Sequence, residues 1–181
     1  MQNFVTEFIR DVAIDLNDEF DQNFERKAFF TDSWPSVKMY NSKGSMMIRT
    51  GALRNSIKYD IMGDRITWSS SLPYASIHNE GGEIRVTQKM KKYFWAMYYK
   101  ANEAMTTTKK GILINSRRNI RLANEAEKWK NLALMKEGYM IKIPKRQIIG
   151  NHPEVNRRIE TIWASKSENF LNYMTQILRR R

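Results

Sequence analysis

Apolar residues return every four positions from the start of the chain: Phe4, Phe8, Val12, Leu16, Phe20 and Phe24. Val5 and Ile9 widen that stripe, so residues 3–30 read as one long amphipathic helix. Its opposite face is acidic, carrying Asp11, Asp15, Asp18, Glu19 and Asp21. Thr31-Asp-Ser-Trp-Pro35 stops the helix, because proline disfavours helical backbone in the residue before it. A polar loop around Asn41-Ser-Lys-Gly44 fills residues 36–49.

Thr50 reads as the cap of a short helical turn, its side chain accepting a backbone N–H two or three residues on. From Ser56 the period drops to two. Ile57, Tyr59 and Ile61 alternate with Lys58 and Asp60, Gly63-Asp64 turns the chain, and Ile66 and Trp68 continue on a return strand. Ser71 then caps a short helix that tolerates Pro73 in its first turn and sets Tyr74, Ile77 and His78 on one face. Gly81 supplies its left-handed end, and Ile84 and Val86 make a third strand.

Residues 88–104 return to a helical period, with Met90, Phe94, Met97, Tyr98 and Ala101 on one side. Thr106-Thr-Thr-Lys-Lys-Gly111 breaks it, and a second helix runs from Ser116 to Lys136. Tyr139, Ile141 and Ile143 alternate as a fourth strand that Pro144 ends. A final helix from Pro153 carries Val155, Ile159, Ile162, Trp163, Phe170, Met174 and Ile177, and closes on Arg179-Arg-Arg181, where cations complement the helix dipole. The expected fold class is α+β. A small antiparallel four-stranded sheet packs against long N- and C-terminal helices, with a helical insertion (88–137) between strands three and four. No repeat, low-complexity tract or linker divides residues 1–181, which read as a single domain.

Composition narrows the functional classes. An apolar share of 41% with five Trp, eight Tyr and eight Phe furnishes a core and excludes disorder by composition. The chain has no cysteine, so disulfides and thiolate metal sites are excluded, in keeping with a reducing cytosol. No secretory signal opens it, and no stretch nears the roughly 20 apolar residues of a membrane span, so a soluble protein without membrane contact is expected. The net charge of +12 is uneven: residues 1–81 hold nine Lys/Arg against eleven Asp/Glu, and residues 82–181 hold 22 against eight. That polarity implies an anionic partner, or two halves of like chains meeting head to tail.

Three segments pair a Gly or Pro with fixed polar groups and an apolar anchor: Thr50-Gly-Ala-Leu-Arg-Asn-Ser-Ile57, Tyr74-Ala-Ser-Ile-His-Asn-Glu-Gly-Gly82 and Ile143-Pro-Lys-Arg-Gln-Ile-Ile-Gly150. In order and content they resemble the virion-morphogenesis, or tail-completion, family of Mu-like tailed phages and prophages. Tyr93-Phe-Trp95 and Lys128-Trp-Lys-Asn-Leu-Ala133 resemble a branch found in Bacteroidetes prophages. The resemblance carries over to Thr50, Gly51, Leu53, Arg54, Ser56, Tyr74, His78, Gly81, Pro144, Arg146 and Gly150 as motif positions. It implies a structural protein of the virion neck or tail end, assembled in the host bacterial cytoplasm and joining tail to head, as a cyclic ring of copies beside other neck, connector and tail proteins.

Residue by residue, structural roles dominate. A cap and a permissive φ account for Thr50 and Gly51. Arg54 bridges to a carboxylate of a neighbouring subunit, or else pairs within its own chain or stays solvated. His78 reads as a half-buried, hydrogen-bonded histidine, because no carboxylate pair or second nearby His completes a metal shell or catalytic triad. Gly81-Gly82 lacks the strand-to-helix setting of a phosphate loop, and no Gly-x-Ser-x-Gly is present, so no enzyme, cofactor or metal is expected. Lys145 and Arg146 follow the strand-ending Pro144, where they either solvate the rim or touch an anionic partner. Lys109, Lys110, Arg117, Arg118 and Arg121 form a basic excursion suited to a protein partner or to non-specific contact with packaged DNA. The competing class is thus a non-specific nucleic-acid-binding protein that uses the basic C-terminal part. In the head-to-tail ring, the acidic N-terminal part of one copy would meet the basic C-terminal part of the next.

Overall fold

The computed structural model describes the backbone of residues 2–36 and 44–179, and the side chains of residues 4–36 and 44–176. The expectations for Asn41-Ser42-Lys43, for the Ile177 side chain and for the terminal arginines lie outside these residues. Helix α1 (Gln2–Arg26) buries Val12, Leu16, Phe20 and Phe24 as the four-residue period requires. Val5 instead remains 46% exposed. The helix ends four residues earlier than the apolar pattern implies. Lys27 takes a left-handed φ of 56°, and the two-residue strands β1 (Ala28–Phe29) and β2 (Asp32–Ser33) fold back as a hairpin around Phe30, at φ 53°. This turn puts Phe29 and Phe30 against Phe20. Asn23, fully buried, holds it by accepting the Phe30 N–H at 2.9 Å and an Arg26 N–H at 3.1 Å.

Helix α2 (Ala52–Ser56) leads into the hairpin of β3 (Ile57–Met62) and β4 (Arg65–Ser70), and α3 (Ala75–Glu80) follows. Tyr74, not Ser71, occupies the N-cap of α3, and no side chain caps it. Strand β5 (Gly82–Arg85) pairs antiparallel with β6 (Met140–Ile143), as expected of strands three and four. The single four-stranded sheet is not formed. The described strands make three separate two-stranded antiparallel sheets within an α+β fold. The reason lies in what each hairpin covers. Trp68 meets Phe20 of α1 edge to face at 5.3 Å, with Ile66 beside the same core, while α3 turns the chain away before β5 begins.

Helix α6 (Pro153–Arg179) lies along α1, with Val155, Ile159 and Ile162 packing onto Val12, Leu16 and Phe8. Trp163 extends the contact to Phe4 and Phe8 at ring separations of 5.8 and 5.2 Å. Most of the acidic face of α1 is consumed inside the chain. Arg158 reaches Asp15 at 3.0 Å and also Glu19, Lys166 reaches Asp11 at 2.7 Å, and Arg54 grips Asp21 and Glu25. The acids of α1 are thus largely paired within one molecule, while Arg158 and Lys166 are the only Lys or Arg residues of the basic half among the described residues that reach them.

The insertion is a helical hairpin, α4 (Gln88–Glu103) and α5 (Arg117–Ala133), with a small core of Phe94, Leu132 and Ala133 closed by Met90, Trp129 and Ile141. Thr87 and Ser116 cap the two helices by accepting the N–H groups of Met90 and Asn119. Between them, buried Asn119 clamps the connecting loop. Its amide donates to the carbonyls of Thr106 (2.8 Å) and Ile114 (2.7 Å), and its oxygen accepts the Thr106 N–H at 3.0 Å.

Glu19 is 4% exposed and held by Arg26 and Arg158, so its removal leaves both guanidinium groups short of a partner. Because Arg26 and Arg158 are each about a third exposed and Arg158 keeps Asp15, Glu19→Ala is expected to lower unfolding stability by about 1–2 kcal/mol in denaturant titration. Glu154→Ala, which removes a surface pair with Arg157 and the acid in the first turn of α6, is expected to cost no more than about 1 kcal/mol.

Candidate functional site: a cationic cleft where three motifs meet

Residues from all three sequence motifs line one cleft of about 650 Å³. The first contributes Thr50, Gly51 and Leu53, the second Tyr74 and His78, and the third Arg146. The preceding loop adds Met46, Met47 and Arg49. Local geometry explains each placement. Gly51, rather than Thr50, sits at the N-cap of α2, at φ 75°, a conformation that costs glycine little. Thr50 assists by accepting the Ala52 N–H on Oγ1 at 3.4 Å. Leu53 is buried beside Phe24 and Trp34, and Ser56 donates to the Leu53 carbonyl at 2.7 Å while meeting Ser70 of β4. Arg54 points away from the cleft and forks onto both oxygens of Asp21 at 2.6 and 2.5 Å, with Glu25 beside it. Of the expected alternatives, the bridge within the chain is formed. Hydrogen bonds from Asp21 and then Glu25 raise its pKa further.

The second and third motifs are stitched together through backbone groups. Asn79 accepts the N–H groups of Ile148 (2.8 Å) and Ile149 (3.1 Å) on one side-chain oxygen, and the His78 carbonyl accepts the Arg146 N–H at 2.8 Å. Gly81 passes so close to the third motif that a β-carbon there would stand 2.9 Å from the Lys145 nitrogen, and its φ of 75° also excludes most side chains. Trp34 donates from its indole to the Gln147 carbonyl at 2.8 Å. Pro144 ends β6, and Gly150 closes the segment just before α6.

Two expectations, one for each of these motifs, change. Lys145 is exposed as a rim residue should be, but Arg146 is only 8% exposed. Its guanidinium donates to the carbonyls of Pro35 (3.0 Å) and Ser36 (3.3 Å), so it ties down the chain after β2 instead of solvating an edge. Burial pushes its pKa down, and no carboxylate among the described residues pairs with it. His78 is half-buried as expected and meets Tyr74 edge to face, yet its Nδ1 is buried with no hydrogen-bond partner. Burial first, then the charges of Arg146 and Arg49, hold its pKa below the ordinary histidine value. The cleft therefore pairs a fixed positive potential with an apolar floor of Met46, Met47 and Leu53, and no acid lines it.

Lys109, Lys110, Arg117, Arg118 and Arg121 are all exposed on the loop and first turns between α4 and α5, and none lines the cleft. Tyr99 of α4 is 57% exposed and stacks on Trp95. Among the described residues, no group of three or more His, Cys, Asp or Glu is placed to hold a metal, and no helix is long and apolar enough to cross a membrane.

These features define an α+β protein whose motif residues bind backbone segments to one another around a cationic cleft. Residues 4–166 match the profile of the phage virion morphogenesis family, and the chain belongs to that family. Membership supports a structural or assembly role in a phage virion. No curated protein matches the chain, nor does any solved structure.

Two measurements probe the site. Asn79→Ala strands two backbone N–H groups and is expected to cost about 2–4 kcal/mol, read by denaturant titration. For His78, the folded pKa is depressed, so its contribution is present above about pH 6.5 and is lost as pH falls through the folded value. The melting temperature should drop between pH 7.5 and 5.5, and His78→Gln should flatten that slope.

Proposed function

We propose that this protein is a tail-completion or head–tail neck component that works by packing against copies of itself and against neighbouring virion proteins, closing into a ring that joins tail to head. The observation that carries this reading is the convergence of the three family motifs on one cleft, where Asn79 and Arg146 hold distant backbone segments in place. Such a site presents a shaped, charged surface. It offers no activated nucleophile or matched acid–base pair, which supports a non-enzymatic role. Assembly would place the protein in the host cytoplasm and then in the neck or tail end of the particle.

Because α1 already spends most of its acids on α6 and on Arg54, whole-half charge complementarity is a weak basis for joining subunits. Subunits would instead meet through local complementary patches. A second reading, non-specific DNA contact, draws on the five exposed cations between α4 and α5 and on exposed Tyr99 nearby in the insertion.

The test is imaging of particles made with and without this gene. The expected result is density at the head–tail junction in wild-type particles, and unjoined heads and tails in its absence. Normally joined particles without the protein would overturn the reading. Duplex DNA anisotropy separates the second reading. If all five cations engage phosphates, log K should fall against log salt with a slope of about −4.5. No binding near physiological salt eliminates it.

A further inference from the structure

A buried guanidinium without a carboxylate is a standing electrostatic debt, because taking a charge out of water costs several kcal/mol unless it is paired. Arg146 is in that condition, with only carbonyl partners. The sequence between Ser36 and Gly44 contains no Asp or Glu, so that stretch supplies no counter-ion. Arg49 stands beside the same cleft in no ion pair among the described residues, and the unpartnered Nδ1 of His78 lies in its wall. All three point to an anionic group that belongs in the cleft. Met46, Met47, Leu53 and Tyr74 add apolar surface that a phosphate backbone would leave unused. The fitting ligand is therefore an acidic peptide segment with an apolar side chain among its carboxylates.

Residues 60–64 of this chain, flanked by Lys58 and Arg65, carry that pattern on another part of its own surface. The β3–β4 turn presents Met62, 74% exposed and the most exposed of the large apolar side chains among the described residues, between Asp60 and Asp64. Both acids are exposed and neither is in an ion pair among the described residues. The strands pair only with each other, so the hairpin tip is free of any larger sheet. Strand β3 starts directly after α2, at the cleft, and its rise carries the tip roughly 17 Å away. The tip therefore lies out of reach of its own cleft.

We propose that the cleft of Arg49, His78 and Arg146 receives the Asp60–Asp64 turn of a second copy, with Met62 seated on the apolar floor and the two aspartates against the arginines. The contact is head to tail, the kind that closes into a ring when the rotation permits. The proposal rests on the self-assembly reading above and names the surfaces that carry it.

The absence of cysteine from the chain makes the test specific. Thr50→Cys and Met62→Cys, both at exposed positions, are made separately, mixed, and treated with a short bismaleimide. The expected product is a covalent dimer only in the mixture, and a ladder in the double variant. Charge reversal gives a second readout by sedimentation. Arg49→Glu and Asp64→Arg should each weaken self-association by about tenfold or more, and combining them in one chain should restore it. Oligomers of unchanged strength that neither cross-link nor respond to reversal overturn this contact and leave the ring standing. A monomer at every concentration, without cross-links, overturns the contact and the self-assembled ring together. Loss of duplex DNA binding in Arg49→Glu with self-association unchanged assigns the cleft to phosphate and also overturns the proposal.

Discussion

Glu19 lies almost fully buried on α1 between Arg26 of its own helix and Arg158 of α6, and that three-way pairing fixes how the two long helices meet. The apolar stripes alone would tolerate sliding by a turn, since both helices repeat apolar residues at similar spacing. Arg158 in register with Asp15 and Glu19, and Lys166 in register with Asp11 and Glu7, remove that freedom. Arg54 does the same for α2 at the other end of α1, through Asp21 and Glu25. A single acidic helix face thus positions both the closing helix and the first motif, and with it one wall of the cleft.

The second organising element is the irregular stretch after β6. Residues 146–149 have no regular secondary structure, so their backbone groups need partners from elsewhere. They receive them from distant parts of the chain: the His78 carbonyl, the Asn79 side chain and the Trp34 indole. Ile148 can then bury to 1% exposure between Phe24, Trp34 and Leu53. Three motifs far apart in sequence are needed because the structural problem they solve is shared.

Much of this was legible beforehand, and the limits follow from physics. The long helices, the insertion helices with their Ser116 cap, and the antiparallel β3–β4 pair all follow from periodicity that local sequence carries. Alternation shows that a segment is a strand but not which strand it pairs with, and so the expected single sheet of four strands is in fact two separate pairs, β3–β4 and β5–β6. The β1–β2 hairpin is two residues per strand and turns on a left-handed Phe30, for which no sequence signal exists. At the site, Gly51, Gly81 and Thr50 stood out because backbone demands leave a mark on residue choice. The burial of Arg146 did not, since a Lys-Arg pair after a proline looks the same in a sequence whether it faces water or carbonyls. Glu19 was hidden in the same way among its acidic neighbours.

The insertion departs from and rejoins the rest of the chain at one point. Val86 donates to the Tyr139 carbonyl, and Gly138 returns a hydrogen bond to the Val86 carbonyl, each at 2.8 Å, just beyond the last pair of the β5–β6 ladder. To the remainder of the fold, the whole α4–α5 unit is therefore equivalent to the turn of a hairpin. Its small apolar core touches the sheet through Ile141 of β6, and the helices beyond that contact can vary in length without altering the register of the β5–β6 ladder. A chain so built separates two kinds of constraint: the three-motif body is tied together by packing and backbone hydrogen bonds, while a change in the length of the appended helices need not disturb them.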